Sequence, residues 1–245
     1  MTERAPDPAS ADKARQVQAM FDGIAPRYDF LNHFLSLGTD WYWRHAAIRR
    51  FRRLLPGGPV RLLDLCCGTG DMALAAARIG PVTGCDFSQP MLRHGQLKLC
   101  RHHGRTVRLV CGDALALPFG DGAFDGATVA FGVRNFADRA AGLAEIRRVL
   151  KPGGVLGVLE FSHPTLPLFR PLFLFYFHRV LPALGRWISG RGGAYHYLPE
   201  SVRDFPAPAE FEDQLRQAGF IEVGCVRYTF GVAALHFGRR PPEED

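Results

Sequence analysis

Lysine is nearly missing from this 245-residue chain, which carries 27 arginines and only 3 lysines. The net charge of +6 is spread along the chain and forms no basic tail. Nucleic-acid binding asks for clustered basic residues interleaved with exposed aromatics, so no nucleic-acid partner is expected. An anionic membrane surface suits a diffuse positive charge better, provided an apolar anchor exists. The six cysteines, at positions 66, 67, 85, 100, 111 and 225, include no CxxC pair and no metal-ligand spacing, so no metal site is expected. Residues 1–20 lack the apolar core of a signal peptide, which makes the cytosol the expected compartment and the thiols reduced, mostly as buried small hydrophobes. There is no internal repeat. Only MTERAPDPAS reads as disordered, and residues 1–12 are set aside on that basis.

What remains is ordinary for a single globular α/β domain, with 47% hydrophobic and 22% charged residues. From Val60 onward short apolar runs alternate with helical periods: VRLLDLC then DMALAAARI, VTGCDF then SQPMLRHGQLKLC, TVRLVC, FDGATVAF then a helix to IRRVL, and GVLGVLEF. Such alternation predicts a doubly wound, mostly parallel sheet with helices on both faces. At the end, IEVGCVRYTF and VAALHFG are separated only by Gly231 and read as an antiparallel hairpin, preceded by the helix AEFEDQLRQAGF. Ahead of the core, residues 19–51 read as two or three helices broken at Pro26 and near Gly38, a cap (residues 13–55) over the sheet's active edge.

The stretch LLDLCCGTGD, Leu62–Asp71, sets an apolar strand against two glycines and an acid. In a doubly wound sheet ligands sit beyond the carboxyl ends of the strands, and Gly68, Thr69 and Gly70 occupy the turn where the backbone comes close to them. The spacing also satisfies a dinucleotide fingerprint. Asp71 argues against that ligand, because an acid at the helix N-terminus repels a pyrophosphate. S-adenosylmethionine has no phosphate. Asp64, at the end of the first strand, is then placed for its ammonium or an ordered water. Asp86, closing the second strand, suits the ribose hydroxyls, with Phe87 counted in the same site, and Asp113 and Ala114 after the third strand suit the adenine. Each acid alone also reads as a turn or cap residue.

The chain resembles the ubiquinone/menaquinone biosynthesis C-methyltransferase (UbiE) family of class I S-adenosylmethionine-dependent methyltransferases. The resemblance covers roughly residues 17–238. It runs through MFDGIAPRYDFLNHFLSLGTDWYWR, LLDLCCGTGD, DALALPFGDGAFD, FGVRNFAD, RVLKPGGVLGVLEFSHP and YHYLPESVRDFP. It implies a seven-stranded Rossmann-like fold and cofactor contacts at Thr69, Asp86, Asp113 and Ala114. Many members have Ser at the place of Ala130, so only backbone contact is expected there. Cys66 and Cys67 stand where small residues, often glycine, are usual; their thiols are read as structural.

The implied reaction is methylation of a ring carbon of a polyprenylated quinol. Such a carbon is a poor nucleophile until the ring is deprotonated, and a phenol-like pKa near 10 leaves about one molecule in a thousand ionised at pH 7. Arg134 in FGVRN, just past the fourth strand, is the candidate cation that lowers that pKa. Asn135 is the candidate for orienting a ring oxygen, and Tyr28, His163 or a water for taking the proton. Packing or turn roles for Tyr28 and His163, and an ion-pair role for Arg134 with Glu160, stay open. Residues 161–206 form an insertion whose start, FSHPTLPLFRPLFLFYFHRVLPALGRWISG, is interrupted by Arg170, Pro171, His178, Arg179 and Pro182. A spanning helix needs about 20 apolar residues. The segment reads either as a buried core helix or, as we favour, as a lid and groove for an isoprenoid tail. In the second reading it touches the inner face of the cytoplasmic membrane, with Arg170, Arg179, Arg186 and Arg191 flanking LFLFYF. Demethylmenaquinol leads as substrate, ahead of a polyprenyl benzoquinol. The rivals are a methyltransferase for another lipophilic small molecule, a nicotinamide oxidoreductase and a silent cofactor-binding module, and a homodimer is left open.

Overall fold

A computed structural model describes residues 8–102, 106–162, 164–180 and 193–243. Seven strands form one sheet: β1 Leu62–Leu65, β2 Val82–Asp86, β3 Val107–Cys111, β4 Phe124–Ala130, β5 Leu150–Phe161, β6 Ile221–Tyr228 and β7 Ala233–Arg239. Their order is β3-β2-β1-β4-β5-β7-β6. The first five run parallel, while β7 lies antiparallel to both β5 and β6. The strand order reverses between β1 and β4, and in an open α/β sheet that switch point opens the crevice where ligands bind. The hairpin turns through a short 3₁₀ segment at Thr229–Gly231, as the lone glycine predicts.

Helices cover both faces. On one side α6 (Arg139–Val149) and α9 (Pro208–Gln217) bury Leu143, Ile146, Phe211 and Leu215 against the sheet. On the other, α3 (Thr39–Arg52) and α4 (Asp71–Ala76) bury Trp43, Phe51, Met72 and Ala73. Helix α5 (Gln89–Leu99) starts at Ser88, whose hydroxyl accepts from the Met91 N–H, and α6 starts at Asp138, whose carboxylate accepts from the Ala141 N–H. Both are side-chain N-caps that satisfy otherwise orphaned amides. Of the six free thiols only those of Cys67 and Cys85 are buried, and Cys100 and Cys111 are exposed. The expectation that most are buried is therefore corrected: Cys100 follows the end of α5 and Cys111 lies on the edge strand.

The cap is helical as expected. Helix α1 (Pro8–Ile24), a 3₁₀ turn at Ala25–Arg27, α2 (Tyr28–Leu35) and α3 break at Pro26 and at Gly38, whose φ of 74° suits glycine. Helix α1 begins at Pro8 and so takes in residues 8–12, which composition alone assigns to a disordered end. In the insertion, α7 (Phe169–Phe175) runs into a π-turn at Tyr176–Val180, and α8 covers Gly193–Arg203. His163, Pro182, Arg186 and Arg191 lie outside the described residues.

One aromatic ring anchors the cap to the sheet. Phe51 of α3 is 1% exposed and fills a slot over β4 and β5. The slot exists because both strands place glycine there: a Cβ on Gly126 would lie 2.8 Å from Phe51 Cζ, and one on Gly157 would lie 2.9 Å from Phe51 Cδ2. Neither position has room for a methyl group. Phe51→Ala is expected to cost about 3–5 kcal/mol through lost transfer energy and a residual cavity. Gly157→Ala is expected to cost about 1–3 kcal/mol through overpacking. Chemical denaturation of the two variants measures both, and a Gly157→Ala protein as stable as wild type would show that the ring can shift.

Candidate active site

Beyond the carboxyl ends of β1, β2 and β4 lies a cavity of about 950 Å³. Its walls are built by strand-end backbone held in unusual shapes. Cys66 after β1 and Phe131 after β4 have φ of 54° and 58°, in the left-handed region that side chains other than glycine seldom occupy. Such strain costs on the order of 1–3 kcal/mol per residue and persists where the surroundings enforce it. The two turns press on each other, since a Cβ on Gly132 would sit 2.6 Å from Cys66 Cβ. Both strained residues line the cavity.

Asp86 also lines it, at 6% exposure. Its Oδ2 accepts from the Gly68 N–H at 2.8 Å and its Oδ1 from the Ser88 N–H at 2.9 Å, which fixes the carboxylate across the glycine turn. Burial raises its pKa, and these two amides oppose the rise. Gly68, Phe87, Asp113, Ala114 and Ala130 line the same cavity, together with Tyr28 and Asn135. Helix α1 closes it from above with Val17, Gln18 and Phe21, Gln18 donating to the Phe87 carbonyl. Two carboxylates and aromatic rings such as Phe87 make a donor set that fits S-adenosylmethionine: acids for ribose and amine, apolar walls for the base.

Three expected contacts fall elsewhere. Asp64 has no exposed surface and is not among the residues lining the cavity. Thr128 donates to its Oδ1 at 2.8 Å, Oδ2 has no partner, and burial lifts its pKa to about 7. Thr69 turns its hydroxyl to Asp29 of the cap, and Gly70, with φ of 87°, serves as the N-cap of α4. Asp71 pairs with Lys98, so its charge is spent on the protein and not on repelling a ligand.

A second compartment of about 650 Å³ shares Phe21, Tyr28 and Phe131 with the first. Arg134 lines it from the 3₁₀ turn after β4. Its Nη1 donates to the Phe131 carbonyl and to Glu160 Oε2, the latter at 3.0 Å. Glu160 is fully buried at the end of β5. Arg134 is thus both an ion-pair partner of Glu160 and part of the compartment wall. Arg44 from the cap lines the same compartment and pairs with Asp40. The two guanidiniums stack on neighbouring rings, Arg44 over Phe131 at 5.3 Å and Arg134 over Phe161 at 5.6 Å, with the rings themselves 4.7 Å apart. Both arginines keep a buried Nε–H without a partner. Tyr28 stands between cavity and compartment; burial raises its pKa, opposed by Arg44 and Arg134, so at neutral pH it is a phenol and no base. Asn135 accepts from the Tyr197 hydroxyl at 3.0 Å.

The compartment opens on an apolar groove of about 1140 Å³, sharing Asn32, Ser36, Phe161 and Leu198 with it. Leu35 and Leu37 of the cap and Leu172, Phe173 and Phe177 of the insertion line the groove. Sequence reasoning missed Arg44, Asp40 and Tyr197. TDWYWR offers an i,i+4 acid–base pair, but an exposed helix face gives the same pattern. Among the described residues one grouping of metal-ligand types occurs, Glu212, Cys225 and His236 on α9, β6 and β7, away from this edge.

The model of the ubiE/COQ5 methyltransferase family matches residues 9–240. The chain is 51% identical to the demethylmenaquinone methyltransferase of Thermus thermophilus, over 91% of this chain and 100% of that one. It is 44% identical to the ubiquinone/menaquinone biosynthesis C-methyltransferase UbiE of Geobacter sp. strain M21, over 95% and 99%. Among solved structures, the [4+2]-cyclase SpnF superposes with a TM-score of 0.65 at 21% identity, covering 94% of this chain and 97% of that one. An S-adenosylmethionine-dependent methyltransferase of Thermotoga maritima gives 0.61 at 19%, covering 90% and 99%. These distant structures establish the class I methyltransferase fold alone.

The sealed Asp64 has a measurable consequence. Its folded pKa of about 7 lies above the ordinary carboxylate value, so between pH of about 4 and 7 the native protein holds a proton that the unfolded chain gives up. The contribution is full below about pH 4 and is lost as pH rises through 7. Asp64→Asn is expected to flatten that part of the melting profile and to be no less stable than wild type at pH 8. A variant that melts well below wild type at pH 8 would show that the ionised carboxylate is needed there.

Proposed function

The chain belongs to the ubiE/COQ5 methyltransferase family, and from that premise we propose that it transfers a methyl group from S-adenosylmethionine to a ring carbon of a polyprenyl quinol, with demethylmenaquinol as substrate. The observation that carries this reading is the sequence of three spaces sharing walls: a cavity suited to the cofactor, a compartment lined by two arginines, and an apolar groove. A flat ring with two oxygens and a long hydrocarbon tail matches the last two in order. A small polar acceptor has no use for the groove.

S-adenosylmethionine supplies an electrophilic methyl group on sulfur. Asp86, Asp113, Phe87, Ala114, Gly68 and Ala130 are the residues we assign to holding it. Arg134 is fixed by Glu160, so it offers the substrate a rigid donor and not a loose charge; the partner acid reduces the long-range field but keeps the fork oriented. Arg134 and Arg44, which both line the compartment, are the residues whose guanidinium groups we assign to the quinol oxygens. Asn135 and Tyr197, joined by a hydrogen bond, are assigned to orienting the ring. Hydrogen bonds that strengthen as a ring oxygen takes on charge lower the barrier, typically by a factor of about 10²–10³ for one well-placed donor.

No helix among the described residues is long and apolar enough to cross a membrane. The groove is nevertheless rimmed with apolar surface: Leu37 and Leu172 line it while 81% and 66% exposed, and Leu168 beside α7 is 92% exposed. We assign this rim to contact with the inner face of the cytoplasmic membrane, where a tailed quinol resides, and the arginine-borne positive charge favours an anionic surface. Where Arg186 and Arg191 stand relative to the rim is outside the described residues.

Incubation of the protein and S-adenosylmethionine with reduced demethylmenaquinone and with a polyprenyl benzoquinol, read by mass spectrometry, tests the proposal. A 14-dalton gain on the naphthoquinol is expected, and no gain on either quinol overturns the reading (one added CH₂, about 14 Da). Arg134→Lys keeps the charge and loses the planar fork. It is expected to bind the cofactor normally by calorimetry while turnover falls roughly 10²-fold. Unchanged kinetics would remove Arg134 from the mechanism. Phe173→Asp in the groove is expected to depress turnover of a long-tailed quinol far more than that of a tail-less one; an unchanged ratio would remove the groove from substrate binding.

A further inference from the structure

The proposed reaction must take the proton off a ring hydroxyl as the carbon is methylated, and among the described residues lining the compartment only one group is able to accept it. Tyr28 and Tyr197 are phenols whose pKa values burial raises. Arg44 and Arg134 are cations, and Asn32 and Ser36 are not bases at neutral pH. The remaining polar group lining the compartment is the carboxylate of Asp40. It comes from the first turn of α3, is 4% exposed, and is held from three sides. Arg44, one turn on, donates to Oδ2; Ser36, in the turn after α2, donates to Oδ1 at 2.7 Å; His33 of α2 meets Oδ2 through Nδ1 at 2.8 Å.

His33 leads outward. Its side chain is 27% exposed, and its Nε2 lies 3.6 Å from Asp71 Oδ2 on α4. Asp71 is paired in turn with Lys98 of α5, which also holds Asp29 of α2. The Trp41 indole N–H packs against the same imidazole and fixes its plane. The charged groups around the pair are therefore Arg44 on α3, Asp71 on α4, Lys98 on α5 and Asp29 on α2, with the Arg134–Glu160 pair across the compartment. A carboxylate faces the reaction space, an imidazole backs it, and solvent lies beyond.

On the reading that the substrate is a quinol, we propose that Asp40 is the proton acceptor for the ring hydroxyl and that His33 is a positioning residue that holds the carboxylate through its Nδ1–H. The O–H bond breaks and its proton goes to Asp40 while its electron pair enters the ring. The ring carbon next to that oxygen bonds the methyl group, and the S–CH₃ pair stays on sulfur, turning sulfonium to thioether. The methylated carbon then loses its own proton to water, the ring regains its aromatic sextet, and the oxygen takes a proton back from Asp40. The balance is one proton released per methyl group. When the proton instead leaves Asp40 through water, the oxygen is reprotonated from solvent, and His33 keeps its Nδ1–H on the carboxylate throughout.

A weak base suffices for this step. Burial alone would raise the Asp40 pKa, but Arg44, the Ser36 hydroxyl and His33 together hold it below the ordinary carboxylate value. A free quinol hydroxyl would not yield its proton to such a group. As the methyl group arrives, however, the oxygen becomes that of a protonated ketone, and its proton becomes strongly acidic. A carboxylate kept ionised at every working pH is then always ready.

The test is the pH dependence of methyl transfer to a tail-less quinol. General-base removal typically costs about 10²–10⁴-fold. Asp40→Asn is expected to lose at least about 100-fold in kcat at pH 7 and to recover about tenfold per pH unit toward pH 9, as hydroxide ionises the quinol directly. Wild type is expected to stay nearly flat over that range. Calorimetry should give the variant the same affinity for S-adenosylmethionine within about twofold, since Asp40 is not in the cofactor cavity. A deficit that stays constant from pH 7 to 9, or activity within threefold of wild type, overturns the assignment. Because Asp40→Asn leaves Arg44 buried without its acid, His33→Asn provides a second variant with the ion pair intact. A smaller loss with the same alkaline recovery is expected of it, and unchanged kinetics would remove His33. Wild type inactive on every quinol overturns the substrate reading and this inference with it; an active wild type with a pH-independent defect in Asp40→Asn overturns the inference alone.

Discussion

The buried ion pair between Arg134 and Glu160 is the interaction on which the geometry of the active edge depends. It ties the turn after β4 to the last residues of β5, and its members keep 8% and 1% of their side-chain surface exposed. Removing two charges from water costs several kcal/mol per ion, and the pair is tolerated only because other bonds complete it. Glu160 also accepts from the Arg134 and Phe161 backbone amides, while the guanidinium lies against the Phe161 ring and donates to the Phe131 carbonyl. The same contacts surround Phe131, whose backbone is left-handed and whose ring is part of the wall shared by the cofactor cavity and the compartment. Stability is a poor reason for such a pair, because an apolar pair of equal volume would serve as well or better. A donor that must not move during a reaction is a better one.

The second consequence concerns the cap. A sheet edge can supply acids and backbone groups at strand ends, but it cannot close over a ligand. In this chain the helices before β1 do so, and they bring charge with them. Asp29 reaches Thr69 and Lys98, Asp22 reaches Ser88, and Arg44 stacks on Phe131. These contacts join the cap to the turns after β1, β2 and β4 and, through Lys98, to the end of α5. Cap packing and site geometry are therefore a single problem, and the Phe51 ring seated over Gly126 and Gly157 is its apolar foundation.

This division explains what could be read from the sequence. The sheet was legible because its strands are short apolar runs ended by glycine or acid, and the hairpin because one glycine separates two such runs. Asp86, Asp113 and Arg134 were legible because a strand-end position already says where a residue points. Asp64 was misread for the same reason: it stands one residue before the end of β1, and on a strand one residue is the difference between facing the rim and facing the Thr128 hydroxyl inside the sheet. Thr69 was misread because its partner, Asp29, is 40 residues away in a segment whose docking no local pattern reveals. Asp40 and Arg44 on α3 and His33 on α2 lay hidden in helices whose polar residues look like a solvated face.

The fold by itself leaves the chemistry open. A [4+2]-cyclase shares this architecture almost from end to end, so the sheet and its nucleotide-like cavity do not dictate methyl transfer, still less its acceptor. In this chain the matter laid over the rim is the helices before β1 and the insertion after β5. Here those two segments meet. Tyr176 of the insertion donates to the Leu35 carbonyl of α2 at 2.7 Å, and Phe177 packs with Leu31 and Leu35. Their junction is the apolar groove, and its inner end is the compartment holding Asp40, Arg44 and Arg134. The groove and the compartment thus both lie at one seam between two segments outside the seven-stranded core. A change of acceptor within this fold would require remaking that seam and could leave the strands, the glycine turn and the cofactor acids untouched.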